Sequence, residues 1–338
     1  MVRLRLQGPI ALYTGYSQGF IPLVRELDRR GELDFELTAI RHHVPDGLAE
    51  DIRRMLNTRK DYHGLGVLVG FPIYHRLLGT NRRIIYSMYE TDDLPFEWKT
   101  PVELADEIWV PTTFCRRLFG KYNRKTKVVP WGIEDDVFKR VPVQKDSAVF
   151  RFGTVGVMGK RKGIDVLVRA FNKAFHGNPG VSLTIKTRDT KWLPGIANEM
   201  IEVVDTDWPV ERLVQFYNEV DCVVLPSRGE GIGMVPLQSV MCGTPAITTN
   251  WSGPVDYIDN NGVWGINVVG MSLTNSMEAK GTRWAEPDEK HLIELMRWAV
   301  DARPVVRGDY SRWTMSNMAT EFTEACASAW RRYYGNSH

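Results

Sequence analysis

A chain of 338 residues is longer than one hydrophobic core usually supports and points to two domains of roughly 150 residues each. With 43% hydrophobic, 25% charged and 11% aromatic residues, its composition is that of a folded globular protein and excludes a disordered one. The 43 basic and 41 acidic residues leave a formal charge of +2, so no global field draws the chain to nucleic acid or to an anionic membrane.

The amino-terminal run MVRLRLQGPIALYTG alternates apolar and charged residues and lacks the apolar core of a signal peptide. No run reaches the roughly 18 apolar residues of a membrane span, so the expectation is a cytoplasmic chain without stable membrane insertion. LQGPIALYTG reads as a first strand, LVRELDRRG as its helix and FELTAIR as the next strand. Strands follow at GLGVLVG, RRIIYSMY, DEIWVP and TKVVPW. The punctuated, polar-tailed segment FKRVPVQKDSA interrupts the pattern and marks a domain boundary, giving domains of about 1–140 and 141–310. The alternation then restarts: VFRFGTVGVM (strand), GIDVLVRAFNKAF (helix), VSLTIKT and MIEVVD (strands), VERLVQFYNEV (helix), DCVVLP (strand), a helix within residues 226–247 and TPAITTN (strand). Strand and helix alternation of this kind predicts an α/β chain with two successive Rossmann-like sheets. Residues 311–335 have helical spacing and are placed as a helix that packs back on the first domain.

Cys115, Cys222, Cys242 and Cys326 form no CxxC pair, which argues against zinc and against a disulfide framework, and for reduced, mostly buried thiols. GTVGVMGK is not a P-loop: five residues separate Gly153 from Gly159, and Arg161 stands where Ser or Thr would hold magnesium. Asp205-Thr206-Asp207 has the DxD pattern of some metal-dependent sugar transferases, but WPVE follows it and a helix-entry turn is the stronger reading.

Two segments carry chemistry. In GVMGKRKGIDVL a strand ends in a glycine turn, and Lys160, Arg161 and Lys162 precede a helix. Cations beside free backbone N–H groups make an anion site suited to a diphosphate, whereas a solvated charge run is the plain alternative. In PSRGEGIGMVPLQSVMCGTPAI, DCVVLP delivers the chain to the carboxyl edge of a parallel sheet, where Glu230 sits. Gly231 and Gly233 allow close backbone approach, and Pro236 suits the first turn of a helix whose bare amides face the site. Gln238 lies far enough along that helix, at about 1.5 Å per residue, to reach a second ligand group roughly 7 Å away. A carboxylate for hexose hydroxyls, amides for a diphosphate and a polar side chain for a ribose diol would serve a nucleotide sugar. An ordinary capped helix with Met234, Leu237, Val240 and Met241 in the core is the alternative.

These 22 residues resemble the PSxxEGFGLxxLEAMACGxPVI signature of retaining family 4 glycosyltransferases (glycosyl transferases group 1) of GT-B fold. In the same order, WVPTTFCRRLF is similar to the family's WVPSxF segment and VVPWGIEDDVFKR to VIPNGVDxxxF. GVMGKRKGIDVLVRAF resembles GRxxxxKGxDxLIxAF, and WAEPDEKHLIELMRWA the WxEPDxxxLxxLM segment, so the likeness covers most of residues 80–300. It implies two Rossmann-like domains facing across a cleft, the first for the acceptor and the second for the donor.

Carried over by position, Glu230 contacts the transferred sugar, the amides of Gly231, Ile232, Gly233 and Met234 hold phosphate, and Lys162 neutralises the diphosphate. Two positions depart from the family. Gln238 replaces its second glutamate and offers a neutral amide to the ribose. Val157 replaces an arginine, so Lys160 or Arg161 must supply that charge. Gly15 and Gly19 in YTGYSQGF form either a donor-facing glycine loop or a plain strand-to-helix turn. Glu90 in YSMYETDD matches a glutamate of relatives with a similar segment and would orient the acceptor, with a solvated acidic turn as the alternative. Trp98 and Trp109 would stack on a sugar or a base, or else fill the core.

The resemblance implies transfer of a sugar from a nucleoside-diphosphate sugar to an acceptor hydroxyl, with retention and with neither metal nor cofactor. The acceptor stays open among a saccharide, a lipid-linked sugar, a small molecule and modified DNA. A nucleotide-sugar-binding protein without turnover and a GT-B epimerase are the other readings.

Overall fold

The computed structural model describes residues 1–10, 15–40, 48–145, 148–157, 159–188, 197–274 and 279–335. The chain is α/β throughout and, among these residues, forms two compact units that divide between Glu134 and Asp135. Residues from Ser311 onward return to the first unit.

In the first unit the elements run β1 (Val2–Gly8), α1 (Gly15–Arg30), β2 (Leu33–Ala39), α2 (Glu50–Asn57), β3 (Leu65–Val69) and β4 (Arg82–Tyr86). They continue with α3 (Phe96–Leu104), β5 (Glu107–Val110), α4 (Thr113–Gly120) and β6 (Thr126–Val128). All pairings are parallel, in the order β2-β1-β3-β4-β5-β6. Buried on both faces, β3 reads as an unbroken apolar run, and β5 as one after its first residue, Glu107, as a covered parallel sheet requires.

β1 begins four residues before LQGPIALYTG and overlaps only its first three residues, and residues 11–14 of that run are outside the described ones. Its charged alternation is tolerated because the Arg5 guanidinium reaches buried Glu36 on β2 at 3.1 Å and the Leu78 carbonyl at 3.0 Å. Helix α1 begins eight residues before LVRELDRRG and carries Pro22 inside it. Trp98 and Trp109 are 7% and 0% exposed, so both belong to the core and neither offers a stacking face to a ligand.

In the second unit β7 (Phe150–Val155), α5 (Ile164–Phe175), β8 (Val181–Thr187), β9 (Ile201–Asp205), α6 (Val210–Glu219) and β10 (Cys222–Leu225) come first. Then follow α7 (Met234–Met241), β11 (Ala246–Thr249), β12 (Val263–Ile266), the antiparallel pair β13 (Val268–Leu273) and β14 (Arg283–Pro287), and α8 (Glu289–Ala302). The parallel sheet has the order β12-β11-β10-β7-β8-β9, and its core unites Phe150, Phe152, Phe171 and Leu183 with Leu292 and Met296 of α8. From β7 the chain steps outward to β8 and β9, then returns to β10 on the other flank of β7. The direction of winding therefore reverses between β7 and β10, and ligands of open α/β sheets bind at the carboxyl ends of strands at such a point.

The last helix, α9 (Met315–Tyr334), belongs to the first unit. Thr314 caps it, Arg30 of α1 donates to Ser316 and Thr320, and Arg332 pairs with buried Glu107. The four cysteines are buried and free. Among the described residues no helix is long and apolar enough to cross a membrane.

Candidate functional site

The loops that leave β7, β10 and β11, three neighbouring strands, meet at the carboxyl edge of the second sheet. After β7 the chain makes a short 3-10 turn over Lys160–Lys162, and Gly163 (φ +68°) opens α5. After β10 the run Pro226–Gly233 leads into α7, with Gly233 at φ +79°. The two loops touch backbone to backbone: a Cβ on Gly163 would lie 1.9 Å from the Pro226 carbonyl oxygen. Arg228 N–H donates to the Arg161 carbonyl at 2.7 Å, and the Ser227 hydroxyl donates to the same oxygen at 3.1 Å. Substituting Gly163 by alanine combines this clash with a left-handed φ. It is expected to cost at least about 2 kcal/mol of stability, read as a fall in the denaturant midpoint with an unchanged slope.

The contact brings Glu230 between two cations. Lys162 Nζ lies 2.7 Å from Oε1, and an Arg161 guanidinium nitrogen lies 3.3 Å from Oε2. Arg161 also donates to the Gly229 carbonyl at 2.8 Å. Burial by itself would push the Glu230 carboxyl up, but the Lys162 and Arg161 charges and the Lys162 hydrogen bond outweigh it and hold the pKa at about 2. Glu230 is therefore an anion at neutral pH although only 7% exposed. Lys160 is exposed and Val157 is 57% exposed, so of Lys160 and Arg161, the two residues expected to supply the missing arginine's charge, it is Arg161 that stands at the carboxylate.

Gly231, Ile232 and Gly233 are buried between Glu230 and Met234, the first residue of α7. Tyr257 braces this run by donating to the Gly233 carbonyl at 2.8 Å. Gln238 is 6% exposed, and its side-chain oxygen accepts from Tyr217 at 2.9 Å. Leu237 and Val240 pack in the core, so α7 serves the interior with one face while its start adjoins the charged cluster.

The remaining predicted residues lie in the first unit. Gly15 opens α1, but Gly19 is inside that helix, which corrects the glycine-loop reading. A Cβ there would come within 2.2 Å of the Trp131 indole, so Gly19 makes room for a buried ring. Tyr16, between the two glycines, accepts from Met88 N–H at 3.0 Å and reaches the Met88 carbonyl at 3.0 Å. It thereby pins the segment that leads from β4 to Glu90, which is half-buried in the following loop. Asp207 of the DxD pattern pairs with Arg188.

Sequence reasoning misses Arg228, which falls at a variable position of the signature. Its side chain, 4% exposed, forms a bidentate pair with Asp165 at 2.9 and 3.0 Å, reaches Glu286 on β14 at 2.8 Å and donates to the Lys160 carbonyl. It ties the cationic turn to the first turn of α5 and to the β13–β14 pair. A usable signal exists: an arginine three residues past an apolar buried strand sits where it must find counter-charges. Ser252 is missed as well, and its hydroxyl accepts from Glu230 N–H at 3.0 Å.

Residues 149–278 match the Glycosyl transferases group 1 family. The matched segment contains the whole cluster Lys160–Lys162, Glu230–Met234 and Gln238. The D-inositol 3-phosphate glycosyltransferase of Acidothermus cellulolyticus is 26% identical over 265 residues, which cover 68% of this chain and 58% of that relative. The chain thus spans less than two thirds of the relative's length. Among solved structures, a lipopolysaccharide outer core galactosyltransferase superposes with a TM-score of 0.66 at 12% identity, over 97% of this chain and 99% of that one. The Anabaena protein HepE, solved in complex with UDP and glucose, gives 0.57 at 12% identity, over 98% and 96%. With its two six-stranded parallel sheets, the chain has the GT-B fold of glycosyltransferases.

Proposed function

We propose that this chain is a retaining, metal-independent glycosyltransferase that moves a sugar from a nucleoside-diphosphate sugar to an acceptor hydroxyl. The observation that carries the reading is the Glu230 carboxylate between Lys162 and Arg161, beside the start of α7 at the sheet's switch point. When a donor binds, its diphosphate takes over the two cations and the amides of Gly231–Met234. Glu230 is then left to accept from hexose hydroxyls, and Gln238 serves the ribose. As the glycosidic bond breaks, its electron pair passes to the leaving phosphate oxygen, and Lys162, Arg161 and the helix start stabilise that charge. The acceptor hydroxyl attacks from the same face and gives its proton to the departing phosphate, so no protein nucleophile takes part. Glu90 orients the acceptor. Metal independence is supported by two cations, Lys162 and Arg161, that can meet a diphosphate, and by Arg188 pairing with Asp207 of the one DxD pattern.

A panel of UDP, GDP, ADP, CMP and dTDP, each with and without magnesium, tests the donor site by thermal shift. One diphosphate is expected to raise the melting temperature equally in both conditions. At a hundred times its dissociation constant the stabilisation is about 2.7 kcal/mol. The matching sugar nucleotide is then offered with saccharides and with polyol phosphates, the latter prompted by the first relative's name, and the anomeric configuration of the product is read by NMR. A metal-dependent shift or an inverted product would refute the respective half of the proposal. Shift without any release of nucleotide would favour a binding protein, and an epimer formed without acceptor an epimerase.

A further inference from the structure

Ser252, between β11 and Tyr257, is buried to 2% exposure and holds φ +62° with ψ −143°. That region of backbone space belongs essentially to glycine, and a residue with a Cβ persists there only when its surroundings impose it. The surroundings are those of Glu230. Ser252 Oγ accepts from Glu230 N–H at 3.0 Å and donates to the Trp251 carbonyl at 2.6 Å. The next residue, Gly253, donates its N–H to the Glu230 carbonyl at 3.0 Å. Both backbone polar groups of Glu230 are thus held by two consecutive residues. The two segments are also in direct contact, because a Cβ on Gly253 would meet the Gly231 carbonyl oxygen at 2.3 Å. A glycine at 252 would relax the backbone but leave the buried Glu230 N–H without its acceptor.

We infer that Ser252 is a positioning residue: its strained backbone is kept so that its hydroxyl fixes the peptide from which the Glu230 carboxylate projects between Lys162 and Arg161. Its consequence for turnover rests on the donor-site reading above, whereas the coupling of Ser252 to Glu230 does not. Alanine at 252 removes the hydroxyl and keeps the strain; glycine removes both. Glycine normally costs stability relative to alanine through the entropy of the unfolded chain. Here the order reverses, and Ser252→Gly is expected to melt above Ser252→Ala by about 2–4 °C.

The experiment compares the full-length wild type, Ser252→Ala and Ser252→Gly by thermal melting and by amide hydrogen exchange of the peptide covering 228–233. UDP, GDP and ADP serve as binding probes, and their glucose conjugates as turnover probes. Both variants are expected to exchange faster at Glu230–Ile232 and to turn over about tenfold to a hundredfold more slowly, with diphosphate affinity within about twofold of wild type. A variant that folds as well as wild type, exchanges faster and yet keeps full turnover would overturn the positioning role. So would unchanged exchange in both variants, or an alanine variant that melts above the glycine one. If wild type binds none of the diphosphates while exchange and melting order follow expectation, the donor reading falls and the Ser252–Glu230 coupling stands.

Discussion

Glu230→Gln is expected to lower turnover by about a hundredfold or more while leaving diphosphate binding as tight as in wild type or tighter. The substitution keeps the shape of the side chain and removes the charge that engages Lys162 at 2.7 Å and Arg161 at 3.3 Å. Losing one preorganised group that acts in the transition state typically costs two to three orders of magnitude in rate, or about 2.7–4 kcal/mol. The sign on binding runs the other way. In wild type a diphosphate must displace the carboxylate from both cations, and in the variant they are released in advance. Steady-state nucleotide release and a diphosphate titration on the same preparation separate the effects. Equal losses in turnover and diphosphate affinity would mean that Glu230 holds the phosphates' surroundings together and does not act on the sugar.

Arg228→Leu is expected to have the largest effect on stability of any substitution near the site. The guanidinium is 4% exposed and meets two carboxylates and a backbone carbonyl, so its removal takes their buried cation from Asp165 and Glu286 and leaves Asp165 only the exposed Arg169 at 3.3 Å. Breaking a buried ion pair from one side costs about 3–5 kcal/mol. The carboxylates retain 30% and 27% exposure and can be partly rehydrated, which places the expectation near the lower end, at about 3 kcal/mol. For a unit of this size that is a fall of about 6–12 °C in melting temperature. Arg228→Lys restores a charge but not the planar fork that serves both Asp165 oxygens, so it should recover only part of the loss. A leucine variant melting within a degree or two of wild type would remove Arg228 from its place as the brace of the cationic turn.

The two predictions differ in how far the sequence alone supports them. Glu230, Lys162 and the start of α7 are legible because their neighbours are local: an apolar strand, a glycine pair and a helix-compatible proline lie within a dozen residues of one another. The same holds for the parallel strands β3 and β10, whose apolar runs need no partner to be recognised, and for β8, whose apolar residues alternate with polar ones. Gly19 marks the limit of such reading. Beside Gly15 it fits a turn pattern, yet it lies in α1, where the Trp131 indole occupies the space its side chain would need. Trp98 and Trp109 likewise carry no local sign that they are core.

By itself the sequence determined the α/β alternation and the placing of a carboxylate and cations at strand ends, because turn chemistry and hydrophobic period act between residues a few positions apart; helices α2, α3 and α4 and the β13–β14 pair came only with the structure. Only the tertiary structure decided that Lys162 and Arg161 face Glu230, that Arg228 closes on Asp165 and Glu286 across 63 and 58 residues, and that Ser252 holds the Glu230 peptide from the loop after β11. Those contacts follow from the parallel order β11-β10-β7, which carries distant segments to one edge of the sheet. Burial then makes each polar group take whichever partner stands beside it, and no local pattern in the chain encodes which partner that is.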